Sequence, residues 1–296
     1  MGHVIFSEED FKLFVDIHRH IYVDFEYIWK LCYSGFAKVT VYQRLKRLED
    51  NGYIKRSMIV PATVKNVETK SRRPFGVYTL DKYGVEMAEE LIGEVHWNSK
   101  WSKRVPTFVY HSLMLGHIEC SMALTSKTDE RYDYKEWINE ARATYRYTKS
   151  PKDILRPDGI AIVGPKTNDM VRAGLMLEME RSYASKDVVL KKVLRYNDFF
   201  QRGEEILKAY DVHVGFDYPV NFWKLVFIAR DESRKKELLR HLKDAAQPPL
   251  YEVEQNGQMV KKQRYDIYIT TYQEMKESPF GKIYTDLNDP TVKIGI

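Results

Sequence analysis

The sequence reads as an α+β or α/β chain in two parts, a small helical domain closed by a strand hairpin and a larger mixed-sheet domain. Three observations predict this. Helix-period apolar stripes give way to two strand patterns within residues 1–93. Residues 94–106 are linker-like, and from 107 to 296 strand and helix patterns alternate. A length of 296 residues accommodates two domains of about 100–200 residues each. With 44% hydrophobic and 30% charged residues, wholesale disorder is excluded. No apolar run approaches the roughly 18 uncharged residues that span a bilayer. The start lacks the basic-then-apolar pattern of a secretory signal, and Ser7 falls one place late for a myristoylation motif on Gly2. Cys32 and Cys120 form no CxxC pair, so neither a disulfide framework nor a structural zinc is expected. The expected setting is a reducing cytoplasm, without a membrane partner.

Ser7 suits a helix N-cap, and Glu8, Glu9 and Asp10 in the first turn complement the helix dipole. Phe11, Leu13, Phe14 and Ile17 supply the apolar stripe. A second helix is expected over Asp24–Cys32, with Phe25, Ile28, Trp29 and Leu31 inward. A third is expected over Lys38–Asp50, with Val41, Leu45 and Leu48 inward and Asn51-Gly52 as its stop. Tyr42 is expected in the core, with a base-stacking side chain as the alternative. Strand patterns at 53–60 and Phe75–Leu80 flank a long basic segment, Lys65–Pro74, and Asp81–Leu91 closes the domain as a helix. Three helices, a two-stranded wing and a helix is the winged helix-turn-helix order.

In the larger part, helices are expected over Tyr110–Ser126, Lys186–Arg202 and Asp231–Ala245. Strands are expected at Tyr134–Ile138, Leu155–Val163, Gly174–Glu180, Lys224–Ala229 and Arg264–Thr270. His111 lies among apolar neighbours and is expected to be a packed histidine. The His117–Cys120 spacing lacks the second pair that a metal site needs. There is no GxxxxGK[ST] loop and no GxSxG elbow, which leaves a nucleotide-driven motor or an α/β-hydrolase without support.

The net charge of +5 is modest, but its distribution is not even. Lys38, Arg44, Lys46, Arg47, Lys55, Arg56, Lys65, Lys70, Arg72 and Arg73 face only Glu49, Asp50 and Glu68 over the same stretch. The excess falls on the third helix and the wing, the two elements that such a fold sets against double-stranded DNA. Thr40, Gln43 and Arg44 are candidates for reading base edges. Lys38 and Arg47, with Lys65, Lys70, Arg72 and Arg73 on the wing, are candidates for holding phosphates or reaching the minor groove. A solvated basic face on a small helical domain, or a winged helix used for protein contacts, is the alternative.

A second group of residues carries chemistry. Arg156-Pro157-Asp158 is followed some twenty residues later by Leu177-Glu178-Met179-Glu180-Arg181. In a strand Glu178 and Glu180 share a face, and a pairing of the two strand patterns brings Asp158 near them. Asp158, Glu178 and Glu180 then form a candidate site for Mg²⁺ or Mn²⁺. The pattern resembles the PD-(D/E)xK nuclease fold, except that the position of the family's lysine is Glu180. Lys186, Lys191 and Lys192 on the next helix are candidate replacements, and structural pairing of the glutamates with Arg181, Arg195 or that helix is the alternative.

Taken together, Tyr110-His111-Ser112-Leu113, Arg156-Pro157-Asp158, Leu177 to Arg181 and Lys192-Val193-Leu194-Arg195-Tyr196 resemble the replication-relaxation family of Gram-positive plasmids and mobile elements. That resemblance implies a winged helix joined to a degenerate, restriction-endonuclease-like mixed-sheet domain. It also implies an accessory factor at an origin, acting in replication, DNA relaxation or conjugative transfer. The expected activity is sequence-specific DNA binding, by a homodimer, with replication or relaxase/transfer proteins as partners and no cofactor. A metal-dependent endonuclease or nickase is the first alternative, with Mg²⁺ or Mn²⁺ at the acidic residues. A transcriptional repressor is the second.

Overall fold

The computed structural model describes residues 4–60, 73–93, 97–181, 184–255 and 257–296. The chain divides into two compact units, Met1–Cys120 and Ser121–Ile296.

In the first unit, α1 (Glu8–His20) leads into β1 (Val23–Asp24) and α2 (Phe25–Tyr27), then a π-turn over Ile28–Cys32. Next come α3 (Lys38–Asp50), β2 (Ile54–Ile59), β3 (Phe75–Leu80) and α4 (Lys82–Ile92). The strands form one antiparallel sheet in the order β1-β3-β2. This is the winged-helix arrangement, with β1 as a short third strand that the sequence patterns did not signal. α3 has the predicted bounds because Val41, Leu45 and Leu48 are buried at helical spacing. It stops at Gly52, whose φ of 76° is the left-handed geometry that glycine adopts freely. The second helix differs from expectation. Tyr33 N–H reaches five residues back to the Ile28 carbonyl (3.1 Å), so the turn widens and buries Tyr27, Ile28 and Cys32 while Phe25, Trp29 and Leu31 are half-buried.

The expected linker also packs onto this unit. The Tyr22 hydroxyl donates to the Trp101 carbonyl (2.7 Å), and Trp97 lies against His18 and Trp101. Residues 94–96 lie outside the described residues. Helix α5 (Pro106–Thr128) begins before the unit boundary, and Val109 and Leu113 from its first turns pack with Tyr22, Ile59 and Val77. The boundary therefore falls inside α5, not at residue 107.

In the second unit, β4 (Tyr132–Asn139), α6 (Glu140–Ala143), β5 (Tyr145–Arg146), β6 (Ile154–Leu155), β7 (Gly159–Pro165) and β8 (Ala173–Glu180) precede α7 (Lys186–Gln201) and α8 (Glu204–Val214). Then follow β9 (Phe222–Ala229), α9 (Glu232–Leu242), β10 (Leu250–Gln255), β11 (Gln258–Gln263) and β12 (Tyr265–Thr271). The chain ends with α10 (Tyr272–Glu277), β13 (Tyr284–Asp286) and β14 (Lys293–Ile294). Seven strands form a mixed sheet in the order β14-β13-β12-β9-β8-β7-β4. β4, β7 and β8 are antiparallel neighbours, whereas β9 runs parallel to both β8 and β12. One face of the sheet, with Ile160, Ile162, Met176, Leu225, Phe227 and Ile267, packs on Val193, Tyr196 and Phe199 of α7 and Leu238 of α9. The side-chain period of two that places Met176 in this core also sends Glu178 and Glu180 toward α7.

Candidate nucleic-acid interface and acidic group

On α3, Lys38, Thr40, Gln43, Lys46 and Arg47 are exposed, opposite the buried stripe. Lys38 pairs with Glu26 (2.9 Å) and lies 4.3 Å over the Trp29 ring, while Lys46 pairs with Asp50 (2.6 Å). Val39 is 67% exposed and Tyr42 46% exposed, with the tyrosine ring stacked on Phe25 at 3.7 Å. Tyr42 is therefore a surface aromatic and not a core residue, because the stripe Val41–Leu45–Leu48 passes beside it. Lys55, Arg56 and Arg73 are exposed on the hairpin side. Lys65, Lys70 and Arg72 lie outside the described residues.

Arg44 is the exception among the predicted contacts. Its Nε donates to Asp10 Oδ1 (2.9 Å), one terminal nitrogen reaches Asp10 Oδ2, and the same nitrogen donates to the Ile5 carbonyl (2.8 Å). Asp10 is fully buried and also accepts from the Tyr33 hydroxyl (2.6 Å) and the Ser7 N–H (2.8 Å). Burial alone would raise its pKa, but these donors together hold it below the ordinary carboxylate value. Arg44 is thus a structural cation that pins α3 to α1, and it does not present a base-reading side chain. In sequence the Arg44 charge looks like surface, because its buried partner Asp10 stands in the first turn of α1, 34 residues away.

A second buried group lies beneath α5. Glu119 is 3% exposed and bonds to His20, to the Tyr27 hydroxyl (2.8 Å) and to Arg19 (3.3 Å). His117 Nε2 lies 2.7 Å from Asp24 Oδ2 rather than in a pair with Cys120, and both cysteines are buried free thiols. His111 is half-buried.

In the second unit, β7 and β8 bring Asp158 to the acidic strand. The Asp158 N–H donates to the Leu177 carbonyl (2.9 Å) and its carboxylate accepts from Met179 N–H (2.7 Å). Glu178 and Glu180 are each 3% exposed. Lys192 on α7 reaches both, at 2.7 Å from Glu178 Oε2 and 2.6 Å from Glu180 Oε1. One turn further along, the Tyr196 hydroxyl donates to Glu178 Oε1 (2.7 Å). Arg234 of α9, fully buried, donates to Glu180 Oε2 (3.2 Å) and to Glu237 (2.7 Å). Of the three lysines considered, Lys192 is the one at the acids. Lys186 pairs with Asp244 and Lys191 is exposed. Tyr196 and Arg234 were not predicted. Tyr196 is legible as the residue four places beyond Lys192 on one helix face, whereas nothing local marks Arg234.

Burial pushes the Glu178 carboxyl up to about 7; Asp158 adds to the rise, while Lys192 and Tyr196 oppose it. For Lys192, burial works against the charge, but Glu178, Glu180 and Asp158 outweigh it and hold the ammonium protonated.

This arrangement does not fit Mg²⁺ or Mn²⁺. Among the described residues no group of three or more His, Cys, Asp or Glu is set to hold a metal ion. The Lys192 ammonium occupies the bridging position between Glu178 and Glu180, and Tyr196 and Arg234 take their outer oxygens. At the candidate metal site of Asp158, Glu178 and Glu180, the two glutamates are held in an ion-pair lattice with Lys192 and Arg234.

The sequence profile of the replication-relaxation family matches residues 15–211, from α1 through α8. The chain belongs to the replication-relaxation family. The matched span takes in the exposed face of α3, the acidic strand and Lys192. No curated protein matches the chain. A solved structure of the restriction endonuclease FokI is similar at 14% identity and a TM-score of 0.31, covering 93% of this chain and 44% of that one. FokI bound to DNA is similar at 11% identity and a TM-score of 0.28, covering 93% of this chain and 45% of that one. This family member thus spans under half of FokI, and at such scores the likeness decides neither fold nor chemistry. Among the described residues no helix is long and apolar enough to cross a membrane.

Proposed function

We propose that this family member is a sequence-specific double-stranded DNA-binding protein of a plasmid or mobile element. It acts as an accessory factor at an origin, in replication, relaxation or transfer. The observation that carries this reading is the exposed row of α3, where Thr40, Gln43 and Val39 stand beside Lys38 and Arg47. Gln suits adenine, an apolar side chain suits a thymine methyl, and the cations suit phosphates. Arg44 has no part in this surface. Binding as a homodimer matches the two-fold symmetry of many helix-turn-helix sites. The acidic lattice ties β8 to α7 and α9 and does not cut DNA.

The test is competitive binding to a selected duplex and to scrambled duplexes. Thr40→Ala with Gln43→Ala should narrow the gap between them, by about 1–3 kcal/mol for a lost bidentate contact. An equal loss on every duplex would overturn base reading at these positions.

A metal-dependent nickase is the second reading; it rests on Asp158 and Glu178 meeting on adjacent strands, and it requires a metal ion to displace Lys192 from the glutamates. Incubation of supercoiled plasmid with Mg²⁺ or Mn²⁺ separates the two readings. Nicking abolished by both Asp158→Ala and Glu178→Ala supports the nickase, whereas intact plasmid with retained binding supports the accessory role.

A further inference from the structure

We propose that the β5–β6 hairpin is a second DNA contact, one that holds duplex phosphates without reading sequence. It rests on the DNA-binding reading above and extends it to the second unit. Arg146, Lys149 and Lys152 are all exposed within this short hairpin, and among the described residues none of the three has an ion-pair partner. Elsewhere in the unit Lys135, Lys192, Lys235 and Lys293 are each seated on carboxylates. The hairpin's one acid, Asp153, is turned away, accepting from the Thr148 hydroxyl (2.7 Å) and facing Arg202 (3.4 Å). Three uncompensated cations on one loop make a local positive potential that draws polyanions.

The loop is built to hold those cations in place. Tyr145 pairs with Leu155 and packs on Tyr210, while Tyr147 packs on Phe199 and its hydroxyl donates to Asp198 (2.6 Å). Tyr147 N–H donates to the Asp153 carbonyl (3.2 Å), closing the loop on itself. The side chains that would read base edges are already used inside it: Thr148 bonds Asp153, and the Ser150 hydroxyl accepts from Lys152 N–H (3.3 Å). What remains outward is charge. Charge alone positions a protein on a duplex and carries no sequence information. The same strand path leads from Leu155 directly into Arg156, Pro157 and Asp158.

The experiment measures affinity of the full chain for a selected and a scrambled duplex across a salt series. The variants are Arg146→Gln/Lys149→Gln/Lys152→Gln and a charge-matched control, Lys208→Gln/Lys261→Gln/Lys262→Gln, whose positions are also exposed. Thermal melting of each variant establishes that the fold is kept. Each phosphate contact contributes about 0.9 to the slope of log affinity against log salt, so the hairpin variant should lose roughly 2–3 of that slope, equally on both duplexes. The control should keep the wild-type slope. A hairpin variant that keeps the wild-type slope, or loses no more than the control, overturns this inference alone. A wild-type chain without salt-dependent duplex binding overturns the DNA-binding reading as well.

Discussion

Asp10 has no solvent exposure and yet collects Arg44, Tyr33 and Ser7 around one carboxylate. Removing one partner of a buried pair strands the other, at a cost of about 3–5 kcal/mol. Asp10→Ala should therefore destabilise the chain by that order in urea denaturation, and a change under about 1 kcal/mol would contradict the structural role of Arg44. The folded-state pKa of Asp10 is lowered, so its stabilisation is present above the ordinary aspartate value and is lost as pH falls through the folded value. Glu178 has the opposite sign. Its pKa rises from 4.5 to about 7, so its share of stability is complete below pH 4.5 and is lost as pH rises through 7. Glu178→Gln lacks that ionisation. Relative to wild type, it should gain up to about 3 kcal/mol between pH 4.5 and 8, and a difference flat with pH would overturn the upward shift of the Glu178 pKa.

At the scale of elements, α4 is pressed against the turn that follows α3. A Cβ on Gly84 would stand 1.9 Å from the Tyr53 carbonyl oxygen, a backbone atom that cannot swing aside. Overpacking typically costs about 1–3 kcal/mol. Gly84→Ala should reach or pass the top of that range, with the denaturation midpoint falling at an unchanged m-value. The bounds of α3 and β3 were legible because each has one buried face at the period of its element. The π-turn was not, since a single i→i+5 step shifts burial from Leu31 to Cys32 without changing composition. Two unpredicted elements carried usable signals. Ile206, Leu207, Tyr210 and Val214 are a helix stripe under α8, and an Asn-Gly dipeptide ahead of β11 is a strong sequence signal for a hairpin.

For the whole molecule, the decisive point is where the winged helix ends. Glu119 supplies the carboxylate for His20 and Tyr27, and Val109 and Leu113 cover Tyr22, Ile59 and Val77. A fragment ending at residue 93 loses all three of these α5 residues, whereas one ending at Thr128 keeps them. The shorter fragment should melt well below the longer one by circular dichroism. Equal melting temperatures would mean that the first half of α5 adds nothing to the first unit.

The winged helix, visible in the sequence as helix-period stripes and a basic excess, is determined by local pattern, because burial of one helix or strand face repeats along the chain at a fixed period. The acidic strand is legible for the same reason, down to Glu178 and Glu180 sharing a face. Only the tertiary structure decided which charges are surface and which are spent. It placed Arg44 on Asp10, Lys192 between two glutamates, and Arg234 behind them from a helix more than fifty residues away in sequence. Ion pairing across elements depends on distance in space, and a charged residue looks the same in sequence whether its partner is water, phosphate or a buried carboxylate.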